Sequence, residues 1–322
     1  MLGRVQLIVI FTFNLSSHMM CQLICHQANV TCSEHDLVKI YWNLNGLHQE
    51  SQYLIDFIKS QILIPPSPLP VELYMVPSVK NMMGQFEQVP LVEKLLGLKR
   101  ERKRKGFFVE AGASCGQKFS NTLYLELKYG WSGLLIEPNP DLLAALLGTH
   151  RNSWVFPHCI STLPFVQVVT FDASDYNSGI ISSATAIKPS LLDRDLNKQP
   201  ILDFERELQV QCFPLFAVLK ALGNPVIDYF SLDIEGAEYM VLQTLPWNKI
   251  NMTLLSVEVN HAGVVFPGNR TDIWNLLKDQ GFEHTATAKI DDFFLHKSFN
   301  EMMMKQNLQA TKQKRNKKYE LS

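Results

Sequence analysis

Phe107-Phe108-Val109-Glu110-Ala111-Gly112-Ala113-Ser114-Cys115-Gly116 decides how the chain is read: a short apolar run ends on a carboxylate and then breaks into small residues. Such a run reads as a buried strand followed by a tight turn. Phe119, Leu123 and Leu127 at helical spacing then predict a helix that closes near Gly130. Glycines suit the turn because the backbone must bend sharply and admit a ligand where a Cβ would intrude, and the new helix offers unpaired N–H groups. Their spacing is Gly-x-x-x-Gly, so the dinucleotide fingerprint Gly-x-Gly-x-x-Gly is not met. Taken alone, this loop fits a ligand-free strand-to-helix turn as well as it fits a cofactor loop.

Downstream segments tip the balance toward a site. Gly133-Leu134-Leu135-Ile136 is a second apolar run that ends in Glu137-Pro138-Asn139-Pro140, about one βαβ unit later. An acid at the tip of the second strand is where doubly wound folds hold ribose hydroxyls. Asp228-Tyr229-Phe230-Ser231-Leu232-Asp233-Ile234-Glu235-Gly236-Ala237-Glu238 repeats the pattern of strand, acidic turn and helix. A carboxylate at Glu110 is badly placed for a pyrophosphate but suits a ligand carrying an ammonium group or a sulfonium centre, and S-adenosylmethionine carries both. Ligands in open α/β sheets bind beyond the carboxyl ends of the strands, so Glu110, Glu137, Asp233, Glu258 and His261 are expected to share one crevice.

At these residues the chain resembles the FkbM-type methyltransferase domain: the loop of Glu110 to Gly116, the Glu137-Pro138-Asn139 turn, and Leu232-Asp233-Ile234-Glu235-Gly236-Ala237-Glu238. Ser120-Asn121-Thr122-Leu123 and Trp131-Ser132-Gly133-Leu134-Leu135-Ile136-Glu137-Pro138 look more narrowly like the Star-like proteins of arthropods. The resemblance spans about residues 100 to 298. It departs from the family at Cys115, where members often carry an acid, and this bears on cofactor affinity. It implies an α/β fold of the Rossmann-like class I S-adenosylmethionine-dependent methyltransferase type, a seven-stranded, mostly parallel sheet with helices on both faces. S-adenosylmethionine is the implied cofactor, held by Glu110, Gly112, Gly116 and Glu137, with Asp172 as a further adenine contact. FkbM-type enzymes imply O-methyl transfer to a glycan or a small hydroxyl acceptor. Star-like proteins imply a non-catalytic role in trafficking membrane-bound growth-factor precursors, with a membrane-bound cargo protein as partner.

The 322 residues are 46% hydrophobic and carry a net charge of −1, enough for one large core with an extension and no overall case for nucleic acid. Met1 to Leu15 has one cation, Arg4, and then the apolar run Val5 to Phe13, the layout of a secretory signal or, extended through Ile24, of a signal-anchor. Sequons at Asn29, Asn251 and Asn269 fit the secretory route through endoplasmic reticulum and Golgi. Cys21, Cys25 and Cys32 permit a disulfide, whereas Cys115, Cys159 and Cys212 read as buried thiols; no spacing predicts a metal site.

Four segments follow: a signal or anchor over 1–20, a helical extension with a Pro-rich linker over 21–98, the methyltransferase-like domain over 99–300, and a basic tail over 301–322. Apolar residues at helical spacing from Leu37 to Ile62 predict two helices that cap the main domain, and Pro65, Pro66, Pro68 and Pro70 mark the boundary. The run Glu101 to Lys105 reads as a solvated loop. Within the core, Trp154–Phe156, Val166–Phe171 and Thr253–His261 predict strands. Pro214–Leu222 and Thr271–Gly281 predict helices, the second capped by Thr271, and a closing hairpin turns around Asp291-Asp292. Methyl transfer to a hydroxyl needs a base, and Asp233 or His261 could supply it; Glu235 and Glu238 also suit the helix dipole. Methylation of a nucleobase amine would call for an Asn/Asp-Pro-Pro-Tyr turn, which Asp233-Ile234-Glu235-Gly236 is not.

Overall fold

The computed structural model describes residues 44–74, 84–99, 105–173, 178–181 and 207–302. Expectations for the signal, Cys21, Cys25, Cys32, Asn29, residues 101–104 and the basic tail from 303 on lie outside these residues. Among the described residues, no helix is long and apolar enough to cross a membrane.

The first strand is β1, Phe107–Ala111, and β2, Ser132–Ile136, runs parallel to it with Glu110 opposite Leu135. On the far side of β2 lies β3, Trp154–Phe156; on the other flank of β1 lie β8, Ile227–Leu232, and β9, Met252–Glu258, all parallel. The hairpin of β10, Phe282–Ala288, and β11, Asp291–His296, closes the edge, with β11 antiparallel to both β9 and β10. The order β10-β11-β9-β8-β1-β2-β3 meets the expectation of a seven-stranded, Rossmann-like sheet with one reversed strand.

Alternation along the central strands decides which helices cover which face. Phe108, Leu135, Tyr229 and Leu254 meet α2 (Gln88–Leu95), α3 (Leu123–Tyr129) and α4 (Pro140–Gly148). Val109, Leu134, Phe230 and Leu255 meet α1 (Gln52–Phe57), α5 (Leu215–Ala221), α6 (Glu238–Thr244) and α7 (Arg270–Asp279). Gly133 is held small by contact, since a Cβ there would lie 2.2 Å from the Phe108 ring.

Several local expectations are corrected. Val166–Phe171 does not join the main sheet. As β5, Gln167–Asp172, it belongs to a second, four-stranded sheet with β4 (Cys159–Ile160), β6 (Gly179–Ile180) and β7 (Glu207–Phe213). Cys159 and Cys212 are a disulfide joining β4 to β7, and Cys115 is free and half-buried, so none of the three is a buried thiol. The Pro-rich stretch runs along the domain: Ile64 exchanges two backbone hydrogen bonds with Val155, and Ser67 and Glu72 donate to Arg151 and Thr149, which covers the edge of β3. The cap of α7 is Asn269, whose side chain accepts from Thr271 and Asp272. Asp291 and Asp292 lie on β11, and the hairpin turns at Lys289, in the left-handed region.

Candidate active site

The carboxyl ends of β1, β2 and β8 open into a cavity with an empty volume of about 1070 Å³, its mouth included. Its wall includes Glu110, Gly112, Glu137 and Asp233, four of the residues singled out from the sequence. The turn after β1 is pinned by Gly112 and Ala113, whose N–H groups both donate to Ile136 O. Gly112 has φ +84°, and a Cβ there would lie 2.0 Å from the Asp233 carbonyl oxygen, so only glycine lets this turn pass beside the end of β8.

Gly116, Asp172 and His261 lie outside that wall. Gly116 packs its missing Cβ position 2.3 Å from Leu146 Cδ1 on α4. Asp172 is buried at the end of β5, paired with Glu207. His261 is buried behind the wall, with Nδ1 2.9 Å from Glu235 Oε2 and 3.8 Å from Glu258 Oε2.

Each carboxylate has its own surroundings. Glu110 accepts from Ser120 Oγ, Asn121 N and Thr122 Oγ1. These three bonds fill most of its acceptor positions and fix the loop that precedes α3. They also explain why the helix starts at Leu123 and not at Phe119, which has φ +65° and stands exposed at the cavity. Burial raises the pKa of Glu110 and the nearby Arg151 guanidinium opposes the rise. Glu137 accepts from Ser114 N at 2.7 Å through Oε2 and from Asn139 N at 2.8 Å through Oε1. That leaves acceptor capacity on both oxygens toward the cavity. Its burial pushes the carboxyl up to about 7.

Asp233 is raised well above the ordinary carboxylate range by burial and then by Glu235 and Asp291. Glu235 holds φ +59°, a strained setting for a residue with a side chain, and Glu238 accepts from Ile234 N and Gly236 N to close the turn. Glu238 is pushed up to about 7, Glu258 to about 11 and Asp291 to about 6, burial being the largest cause for each.

Other wall residues went unread in the sequence. Ile160, Phe171 and Ile180 of the second sheet form an apolar side, and Asn139 Nδ2 donates to Ser178 Oγ to tie that sheet to the Glu137 turn. No motif marks these residues: Ile160 and Ile180 lie on strands of two residues, which have no readable period, and Phe171 ends a strand whose place in a second sheet the sequence did not show. Phe119 and Asn121, whose Nδ2 donates to Ser231 Oγ, sat in a stretch read as helix.

Among solved structures, the METTL16 MTase domain matches at 11% identity over 76% of each chain, with a TM-score of 0.33. The N-terminal domain of human METTL16 in complex with S-adenosylhomocysteine matches at 11% identity over 70% of this chain and 74% of that one, with a TM-score of 0.32. Methyltransferase FkbM from Methylobacillus flagellatus KT matches at 11% identity over 88% of this chain and 72% of that one, with a TM-score of 0.36. No curated protein matches the chain. These structural likenesses are remote, and identity rests instead on the sequence itself. Residues 110–284, from the carboxylate of β1 into the closing hairpin and more than half of the chain, match the model of the methyltransferase FkbM domain; the chain belongs to that family.

Proposed function

We propose that this chain transfers a methyl group from S-adenosylmethionine to a hydroxyl of a glycan or a small molecule, and that it does so in the secretory pathway. The observation that carries the reading is Glu137. Its two oxygens are held by backbone N–H groups at the tip of β2, with acceptor capacity left over beside a turn that excludes any Cβ. A carboxylate so fixed suits two vicinal ribose hydroxyls, and Phe171, Ile160 and Ile180 offer the apolar side that an adenine needs.

When bound, S-adenosylmethionine would supply an electrophilic methyl on a sulfonium, with a neutral thioether as the leaving group. Asp233, on the cavity wall, is placed to accept the proton of an acceptor hydroxyl and would act as the base for such a transfer. Burial and the neighbouring acids make its carboxylate a stronger base than an exposed one. His261 stands behind Glu235, away from the wall, and acts through that neighbour.

The compartment itself favours a second reading, a Star-like factor that handles membrane-bound cargo without catalysis. The Cys159–Cys212 disulfide suits an oxidising compartment, as do exposed Asn251 and Asn269, and a charged cofactor does not cross membranes unaided. Calorimetric titration of S-adenosylmethionine and S-adenosylhomocysteine into the glycosylated protein separates the two readings. Micromolar binding that Glu137→Ala abolishes is the expected result. Absence of binding to folded protein overturns the enzymatic reading and leaves the second.

A further inference from the structure

Behind the cavity wall, the ends of β8 and β9 gather a second group of ionisable side chains. One ligand atom each from Glu235, Glu258 and His261 falls within 4.8 Å of the others, and Asp233, Glu238 and Glu258 form an overlapping group with the same spread. Crowded acids alone signify little. Here Glu258 adds an independent observation: it is 3% exposed, and among the described residues its Oε2 is buried with no hydrogen-bond partner, with His261 Nδ1 3.8 Å away. A buried carboxylate oxygen aimed at an imidazole and at other carboxylates is costly without a partner. Two ligands that sit cis on one cation, each about 2.1 Å from it, stand about 3 Å apart. His261 Nδ1 and Glu235 Oε2 are 2.9 Å apart.

We propose that Glu235, Glu258 and His261 hold a divalent cation just behind the cavity wall, at the point where Glu235 lines it. Two carboxylates and a single imidazole make an oxygen-rich set with one borderline nitrogen, which suits Mn2+ or Mg2+ better than the thiolate-seeking metals. The surroundings agree. Asn260 Nδ2 lies 3.2 Å from His261 Nε2, and with the amide turned over, Asn260 presents an oxygen to the Nε2–H. That is the outer partner a ligating imidazole requires. Glu235 also lines the cavity, and its left-handed backbone aims a side chain from a turn where glycine would be easier. This inference rests on the methyl-transfer reading for its purpose: a cation among these acids would favour the charged, proton-accepting form of Asp233, whose carboxylate neighbours Glu258.

The test uses the full chain stripped of metal with a chelator. Mn2+ is titrated by electron paramagnetic resonance and calorimetry, and S-adenosylhomocysteine binding is measured in parallel. The expected result is one Mn2+ per chain with nitrogen hyperfine coupling from an imidazole. Binding should be at least about tenfold weaker in Glu258→Gln and in His261→Gln, with S-adenosylhomocysteine affinity changed less than about twofold. If either variant does not fold, the nitrogen coupling in the unaltered chain decides. The proposal is overturned if folded protein that binds S-adenosylhomocysteine takes up no Mn2+ at about 1 mM, a concentration that fills even weak sites. It is also overturned if the bound ion shows no nitrogen coupling. Mn2+ bound with that coupling by protein that ignores S-adenosylhomocysteine supports the cation site and overturns the methyl-transfer reading.

Discussion

Buried carboxylates stand at the carboxyl ends of strands on both sides of the cavity, yet the two sides treat them differently. On the β1–β2 side Glu110 and Glu137 receive five donors between them. Close by, the Arg151 guanidinium bonds to Glu126, Gly116 O and Thr122 Oγ1. On the β8–β9 side Glu235 and Glu258 crowd around the His261 imidazole, Asp233 and Glu238 gather at Glu258, and among the described residues Glu258 Oε2 has no hydrogen-bond partner. The same residue type at equivalent places is thus a finished scaffold on one side and a demand for positive charge on the other. Burial raises a carboxylate in both settings, and only hydrogen bonds or opposite charge offset it.

The largest expected effect breaks the finished side. Arg151→Met leaves Glu126 buried without its charged partner, 2.8 Å away in the intact chain, and should cost about 3–5 kcal/mol in urea unfolding. A loss below about 1 kcal/mol would erase the contrast between the two sides.

A second measurement sharpens the contrast within the cofactor side. Glu137 sits near 7, so the deprotonated form, the one that accepts hydroxyl protons at both oxygens, grows as pH rises through that value. S-adenosylhomocysteine affinity should therefore rise with pH across about 6 to 8. In Glu137→Gln it should be about 10–100-fold weaker and flat with pH. An unchanged pH profile in the variant would show that another group sets it.

The smallest effect is expected on the crowded side. Glu258, pushed up to about 11, is protonated at neutral pH in the cation-free protein, and glutamine copies that form. Glu258→Gln should change unfolding stability by under about 1 kcal/mol below about pH 4.5, where folded and unfolded chains both hold the proton. Its folded pKa lies above its unfolded value, so the native state binds the extra proton and stability falls as pH rises from about 4.5 toward 11. The variant lacks that slope and should become more stable than the unaltered chain as pH rises above about 4.5, the gap widening toward alkaline pH. Parallel curves in chemical denaturation would mean that Glu258 does not bury its proton.

Much of the frame was legible because it is local. Phe107–Ala111, Ser132–Ile136, Ile227–Leu232 and Met252–Glu258 are apolar runs that end in polar groups, and Gly130, with φ +65°, closes α3 as its position implied. Phe119 was misread as helical because its spacing to Leu123 is right; the Glu110 carboxylate overrides that spacing by collecting Ser120, Asn121 and Thr122. The second sheet was illegible for a different reason. β4 and β6 have two residues each, and β7 pairs with a strand some forty residues away.

By itself the sequence determined the order of strand, acidic turn and helix, and the family, because apolar period, turn glycines and motif spacing are properties of neighbouring residues. Tertiary structure alone decided three things: that Cys159 meets Cys212, that Ile160, Phe171 and Ile180 wall the cavity, and that Glu137 is held while Glu258 is left short of partners. A carboxylate's chemistry depends on burial, donors and neighbouring charge, and those are supplied by residues far away along the chain.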